Sequence, residues 1–270
     1  MKKYIFNKLK EYSAISSCSG DEKLFGEFLE KDFLGENAEL LTAEKIKTRT
    51  VLENRKLHYL YLETNPSAKF FFTVHIDRVK NYLNTIQDFD EDILTGQLDN
   101  MISIGILRYL FTKGLRFNIL FTTKEEVFIS WEQIKEIMFL NPILIPVSLD
   151  IDIIKEIYLT DGKISLRSKD VIGFYKTSLV AKLRKLASEN NIEFIDERIG
   201  WTGVEVGYLY RNTGFRGAHI GLPITEYHTD KEKCNWKTIE NAVRFIEVLI
   251  TNQDNVFQQK GKSNNKGGLK

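Results

Sequence analysis

Residues 69–77 read KFFFTVHID, and this stretch decides the fold because it is an almost unbroken apolar run that ends in His75 and Asp77. A strand that is apolar on both faces is typical of the interior of a parallel sheet. Two runs of the same kind follow, FNILF at 117–121 and ILIPVSL at 143–149. Segments with helical spacing, near 101–111 and 130–139, alternate with these strands. The alternation predicts an α/β fold, a three-layer domain with a mostly parallel central sheet and helices on both faces.

The remaining segments extend this pattern in both directions. Before the decisive strand, two amphipathic helices are predicted, the second of them after Asp21 as N-cap with Leu24, Phe25, Phe28 and Leu29 on its buried face. The predicted strands AELLTA (38–43), TRTVLE (48–53) and LHYLYLE (57–63) partly alternate, which indicates an antiparallel, partly exposed region. The C-terminal half is predicted to add a hairpin at 156–167, a helix at 178–191, strands at 192–196 and 217–224, and a helix at 235–250.

The composition is that of one folded domain with a polar tail. Of 270 residues, 43% are hydrophobic and 28% are charged, and no internal repeat or Gly/Ser linker divides the chain. Residues 1–253 are therefore predicted to form a single domain. From Asp254 onward the sequence becomes rich in Gly, Asn and Lys, which predicts a disordered tail over 254–270.

The charge balance and the cysteines narrow the classes of partner. Thirty-eight basic and 37 acidic residues give a net charge of +1, so neither nucleic acid nor an anionic membrane is an expected partner. The N-terminus lacks the pattern of a signal peptide, and no apolar run reaches the length of a membrane helix. Cys18 and Cys234 are too few for a disulfide framework and too isolated for a CxxC metal site. We expect a cytoplasmic protein.

Acidic and imidazole side chains follow the predicted buried strands. In sheets of this type, ligands bind beyond the carboxyl ends of the strands. Each residue has a structural explanation on its own, such as helix N-capping by Asp99 or solvation of a Glu pair. Together they form the ligand set of zinc and similar divalent ions, and two metals fit if one carboxylate bridges and one glutamate stays free as a base. The residues in question are His75, Asp77, Asp99, Glu125, Glu126, Asp150 and His228.

The ordered motifs HID, LDN, TTKEEV, SLDI and EYH, preceded by SCSGDEKLFGEFL, resemble those of the co-catalytic di-metal aminopeptidase superfamily. That superfamily includes the bacterial leucyl-aminopeptidase type and the tetrahedral, deblocking type. The likeness extends from the first predicted helix to the last. Because each motif is short, its specificity lies in the order of the motifs and in their placement at strand ends.

The resemblance implies a role for each of these residues. His75 and Asp150 would hold one metal, Glu126 and His228 would hold a second, and Asp99 would bridge the two. Glu125 would be the general base, and the Asp77 carboxylate would hydrogen-bond His75 and fix its tautomer. The expected cofactors are two divalent ions, zinc first, with cobalt or manganese as alternatives. The resemblance also implies a cis peptide bond between Asp99 and Asn100.

The sequence departs from the superfamily at three places. The domain that the deblocking type inserts between the His75 and Asp99 motifs is absent, so the assembly surfaces of those relatives are not expected, and the sequence leaves the oligomeric state open. VFISW at 127–131 lacks a glycine that is common there, and the segment 200–215 lacks an aspartate often found in its counterpart. Neither change removes a proposed metal ligand, and both affect the expected specificity pocket.

The leading prediction is a metallo-aminopeptidase that acts on short peptides or other small amides. Two alternatives stay open: a deacylase, carboxypeptidase or other amidohydrolase with the same fold, and a degenerate, non-catalytic binding protein. Trp201 and Tyr208 are candidates for the substrate site. His219 is expected to be structural, and Cys234 is expected to be a surface thiol.

Overall fold

The computed structural model describes most of the chain as a layered α/β assembly. The described residues are 1–35, 49–51, 57–88, 92–155, 159, 161–196 and 203–257. The helices in these ranges are α1 (Lys2–Ser13), α2 (Lys23–Gly35), α3 (Met101–Thr112), α4 (Trp131–Leu140), α5 (Thr177–Glu189), α6 (Glu205–Thr213), α7 (Trp236–Thr251) and α8 (Gln253–Phe257). The strands are β1 (Arg49–Val51), β2 (Leu57–Leu62), β3 (Phe70–His75), β4 (Gln87–Asp88), β5 (Ile93–Gly96), β6 (Asn118–Thr122), β7 (Ile145–Ile153), β8 (Ile164–Ser165), β9 (Phe194–Ile195), β10 (Ala218–Ile224) and β11 (Glu232–Asn235).

The main sheet confirms the predicted mostly parallel architecture. Its strand order is β1-β2-β6-β3-β7-β10-β8-β9, and the four central strands β6, β3, β7 and β10 run parallel to one another. The antiparallel pairings lie toward the edges, where β2 pairs with β6 and β8 pairs with β10. A second, antiparallel sheet has the order β11-β5-β4.

Strand β3 is apolar on both faces because it separates two cores. Phe70 and Phe72 belong to the larger core, which also contains apolar residues of α1, α3 and α7. Phe71 points to the other face and packs in a smaller core with Leu120 of β6 and Ile134 of α4. The sheet is therefore covered by helices on both faces, as predicted.

Two predictions at the ends of the fold need correction. The buried face of α2 contains Phe25, Leu29 and Phe33, whereas Leu24 is 63% exposed. Residues 254–257, which were assigned to a disordered tail, form most of α8. The Phe257 ring stacks on that of Phe70 at 4.6 Å between centroids, so an apolar anchor extends the ordered fold past Asp254. Residues 258–270 lie outside the described residues.

Two predicted elements fall partly or wholly outside the described ranges. The AELLTA strand at 38–43 lies outside them, and β1 is the described part of TRTVLE. Of the hairpin predicted at 156–167, the second arm is β8, whereas most of the first arm is outside the described residues. In the sheet, β8 pairs with β9 and β10.

Helix α6 was not predicted, because the glycines around it read as helix breakers. Gly207 lies inside the helix, and its lack of a side chain is required there because a Cβ atom would collide with the Asp170 carboxylate. Among the described helices, none combines the length and the hydrophobicity that crossing a bilayer requires.

Candidate metal centre

The parallel strands place the predicted ligands at one edge of the sheet. His75 is the last residue of β3, and the pairing of Thr73 with Ser148 puts it level with Asp150 of β7. Strand β7 continues to Ile153, but its neighbour β3 ends at His75. The Asp150 side chain lies beside the end of β3, near His75. The sheet alone therefore brings one histidine and one carboxylate together.

His75, Asp99 and Asp150 form the first group of candidate ligands. The Nε2 atom of His75 lies 3.0 Å from Oδ1 of Asp99 and 3.3 Å from Oδ1 of Asp150. All three side chains are buried, and one ligand atom from each lies within 4.8 Å of the other two. The three atoms thus surround a space in which one cation can be bound.

Asp99, Glu126 and His228 form a second group around the other oxygen of Asp99. The Nε2 atom of His228 lies 3.3 Å from Oδ2 of Asp99 and 3.2 Å from Oε2 of Glu126. This nitrogen is buried, yet it makes no hydrogen bond of acceptable geometry. Asp99 therefore connects the two groups through separate oxygens, as the bridging role requires.

Asp99 lies just before α3, and the start of this helix is tied to β7. The peptide bond between Asp99 and Asn100 is cis, as the resemblance implies. Asn100 donates a hydrogen bond from Nδ2 to the carbonyl oxygen of Leu149 at 2.9 Å, which ties the start of α3 to β7 beside Asp150.

Asp77 lies next to His75 and contacts it through two groups. The Nδ1 atom of His75 is 3.1 Å from the main-chain oxygen of Asp77 and 3.6 Å from its carboxylate, so the carbonyl group is the nearer partner and the role of the carboxylate stays a prediction. The carboxylate accepts hydrogen bonds from the backbone N–H groups of Glu125 and Glu126 at 3.0 and 3.1 Å, and from the Ser19 hydroxyl at 2.6 Å. Asp77 thus positions the peptide units that bear the two glutamates.

Glu125 is buried beside both ligand groups. One of its carboxylate oxygens lies within 4.8 Å of ligand atoms of His75 and Glu126. Burial raises the pKa of Glu125 well above its ordinary value, and the charges of Asp150 and Glu126 add to this effect against an opposing effect of His75. A carboxyl group with a raised pKa is suited to accept and return a proton during catalysis.

The pKa values of the two histidines are raised by the negative charge of the surrounding carboxylates. Burial by itself lowers the pKa of His75, but the charges of Asp150 and Asp99 outweigh burial and raise it well above its ordinary value. In the same way, the nearby carboxylates of Asp99 and Glu126 overcome burial and raise the pKa of His228 to about 10. A buried space with this excess of carboxylate charge is suited to cations.

Glu232 is a functional residue that the sequence analysis missed. It is fully buried on β11. Its Oε2 atom accepts hydrogen bonds from the backbone N–H groups of Leu98 and Asp99 at 2.5 and 3.0 Å, and its Oε1 atom accepts one from that of His228 at 2.7 Å. Burial and the charge of Asp99 raise the pKa of Glu232 to about 8 against the effect of these three donors. One carboxylate thus holds two ligand-bearing segments together.

A second buried glutamate, Glu205, lies at the start of α6. Its carboxylate is hydrogen-bonded to the hydroxyl of Thr122, the last residue of β6. Burial raises its pKa to about 7, while the charge of His75 and the bond to Thr122 lower it. Because α6 was not predicted, no sequence pattern indicated that Glu205 lies near the site.

Of the remaining candidates, His219 is confirmed as structural and Cys234 is corrected. His219 is buried with its Nε2 atom 3.3 Å from Oδ2 of Asp152, and the same carboxylate pairs with the buried guanidinium of Arg167. Cys234 is fully buried on β11, and burial raises the pKa of its thiol, so it is not a surface thiol. Trp201 lies outside the described residues.

The sequence comparison agrees with this geometry. The family model of the M42 glutamyl aminopeptidases matches residues 76–245, more than half of the chain. The chain belongs to this family. Its activity is that of a metal-dependent aminopeptidase, which confirms the leading prediction and disfavours the alternatives. No curated protein sequence matches the chain.

Solved structures show the same fold at low sequence identity. An aminopeptidase from the archaeon Desulfurococcus kamchatkensis aligns with a TM-score of 0.73 and 11% identity, over 95% of this chain and 97% of its own. A TET aminopeptidase from a marine sediment thaumarchaeon gives 0.71 and 11% over 94% and 98%. The TET1 peptidase of Pyrococcus horikoshii, which assembles into a tetrahedron or an octahedral shell, gives 0.68 and 12% over 91% and 99%.

Proposed function

We propose that this aminopeptidase binds two divalent cations and removes N-terminal residues from short peptides. In this proposal, His75 and Asp150 hold one ion, Glu126 and His228 hold the other, and Asp99 bridges them. The observation that carries the proposal is the division of the Asp99 carboxylate, whose two oxygens each lie beside a different histidine.

The residues present fit such a pair of ions. His228 has a buried nitrogen without an acceptable hydrogen bond, although two carboxylates lie within 3.3 Å of it. Imidazole nitrogen with carboxylate oxygen is the donor set that zinc takes in hydrolases, and manganese and cobalt accept it too. We therefore expect zinc first, with the other two as alternatives.

Bound cations would supply Lewis-acid activation of the scissile carbonyl group and of the attacking water. Within the chain, Glu125 is placed to take the proton of that water and to deliver it to the departing amine. Asp77 keeps Glu125 in place through its backbone N–H. Both candidate ligand groups lie at the same sheet edge, so in this proposal the base would stand beside the reacting atoms.

We also propose a cytoplasmic location and a single catalytic domain. Both described cysteines are free thiols, which suits a reducing compartment. Neither nucleic acid nor membrane is part of the proposal, because the net charge of +1 offers no basic surface excess.

The test is a substrate panel combined with metal titration. Purified protein would be stripped of metal, titrated calorimetrically with zinc, cobalt or manganese, and assayed on aminoacyl-nitroanilides, N-acyl amino acids and C-terminal peptide substrates. We expect two ions per chain and hydrolysis of substrates with a free α-amine. Uptake of a single ion would contradict the bridging role of Asp99, and preference for N-acyl substrates would contradict the aminopeptidase assignment.

A further inference from the structure

The turn that bears Glu125 and Glu126 ends in an aromatic residue with an unusual backbone. Phe128 has a φ of 64°, in the left-handed region that bulky side chains rarely adopt. Its N–H donates to the carbonyl oxygen of Glu125 at 2.7 Å, and the next N–H, of Ile129, donates to that of Lys124 at 3.1 Å. The turn therefore holds Phe128 in a strained conformation directly beside the two glutamates, and such strain concentrates at functional sites.

The side chain of Phe128 is not used to build the core. It is 57% exposed, and its ring stacks on that of Tyr208 with 4.9 Å between centroids and 28° between planes. Tyr208 is half-buried on α6. Burial and then the charge of Glu125 raise the pKa of its hydroxyl to about 12. The paired rings form an open apolar wall next to Glu125.

We propose that Phe128 and Tyr208 form the pocket wall that receives the side chain of the substrate's N-terminal residue and selects bulky apolar side chains, leucine and phenylalanine above alanine or glutamate. This inference rests on the proposed function, because the wall is placed relative to Glu125 as the base. An exposed aromatic face gains contact area with an aliphatic or aromatic side chain and gains little with a small or anionic one. Arg211 lies one turn further along α6, and its charge lowers the pKa of Tyr208. If Arg211 instead controlled the specificity, the enzyme would prefer acidic side chains, which is the competing outcome of the test.

The test compares selectivity in Phe128→Gly with that of the wild type. Glycine accepts the left-handed backbone freely, so this variant removes the ring without disturbing the turn. We expect the ratio of kcat/KM for leucyl over alanyl nitroanilide to fall about tenfold, with no drop in melting temperature. Tyr208→Phe, which keeps the stacked ring, should retain the wild-type ratio. Phe139→Ala is the matched control, because Phe139 is also exposed, at 68%, and pairs with Phe215 at the far end of α4; its ratio should not change.

An unchanged ratio in Phe128→Gly would overturn the proposal. A wild-type preference for glutamyl substrates that Arg211→Gln abolishes would also overturn it. If no aminoacyl substrate is hydrolysed, the proposed function fails, and calorimetric binding of free L-phenylalanine to the zinc-treated protein then decides the inference on its own. If Phe128→Gly binds L-phenylalanine about tenfold more weakly than the wild type, the result supports the proposed pocket wall. Equal binding by both proteins, or no binding by either, would refute it.

Discussion

Glu232→Gln tests whether a buried carboxylate outside the ligand set holds the site together. Glu232 accepts three backbone N–H groups, two of them from the ligand residues Asp99 and His228. Glutamine keeps one acceptor oxygen and replaces the other with an NH₂ group, which cannot accept. If the remaining oxygen stays with Leu98 and Asp99, the N–H of His228 loses its partner.

The size of the effect follows from the number of hydrogen bonds lost. One hydrogen bond to a charged group contributes about 1.5–3 kcal/mol, which corresponds to a loss of roughly 10–100-fold in an equilibrium constant. Substitution of outer carboxylates that orient metal ligands has effects of the same order, about 10–100-fold in metal affinity. We expect this loss in metal affinity, with kcat/KM falling in parallel at limiting metal.

The ionisation of Glu232 sharpens this prediction. Burial and the charge of Asp99 raise its pKa to about 8, so near neutral pH the metal-free protein favours the ionised carboxylate less than an ordinary glutamate site does, and the substitution removes less charge there. Cations beside Asp99 offset that charge and favour the ionised carboxylate, so the variant should differ from the wild type more strongly when metal is bound. Melting temperatures with and without zinc, and calorimetric titration, measure this difference. Glu240→Gln, on the exposed face of α7, is the control. Wild-type zinc affinity in Glu232→Gln would refute the reasoning.

Four further substitutions test the assigned roles. Glu125→Gln should lower kcat by about 10²–10⁴-fold and retain both metals, whereas Glu126→Gln should lose metal affinity along with activity; kinetics and calorimetry on both variants separate these outcomes. Asp99→Ala should abolish binding of at least one metal per chain, measured by elemental analysis, and two ions retained would contradict the bridge. Asp152→Asn should destabilise the fold by about 3–5 kcal/mol, because it leaves the buried Arg167 without its carboxylate partner. Burial by itself raises the pKa of Asp152, but the nearby groups, the charge of Arg167 foremost, together lower that pKa below its ordinary value. The stabilisation by this ion pair is therefore present above about pH 4 and is lost as the pH falls below it. In urea unfolding at decreasing pH, the wild type should lose more free energy of unfolding than the variant.

The sequence predicted the sheet and the ligand cluster for one physical reason. Strands buried on both faces must be apolar throughout, so the apolar runs FFFTV and FNILF can be recognised as such strands from the sequence. The first polar residues after these runs lie at the edge of the sheet where the carboxyl ends of the strands meet. Because parallel strands end at the same edge, side chains far apart in sequence meet there. His75 and Asp150 are brought together in this way by the register of β3 on β7.

Contacts made through the backbone could not be predicted in the same way. Glu232 accepts hydrogen bonds from backbone N–H groups. Every residue except proline has such a group, so no sequence pattern can show which ones Glu232 binds. Cys234 was misplaced because neighbouring lysines suggested a loop, whereas β11 pairs with β5 and buries it. Helix α6 was missed because Gly207, needed for the close approach of Asp170, is indistinguishable in sequence from a helix breaker.

The two halves of the site are built by different means. His75 and Asp150 belong to strands, so sheet register and strand packing fix their backbones. Glu126 and His228 belong to connections beyond the strand ends, where no ladder hydrogen bonds hold the chain. Their N–H groups bond instead to the buried carboxylates of Asp77 and Glu232. Each of these carboxylates also accepts a second N–H group: Asp77 accepts that of Glu125, and Glu232 accepts that of Asp99. The positions of the proposed base and of the proposed bridging ligand therefore depend on the same two carboxylates that position Glu126 and His228.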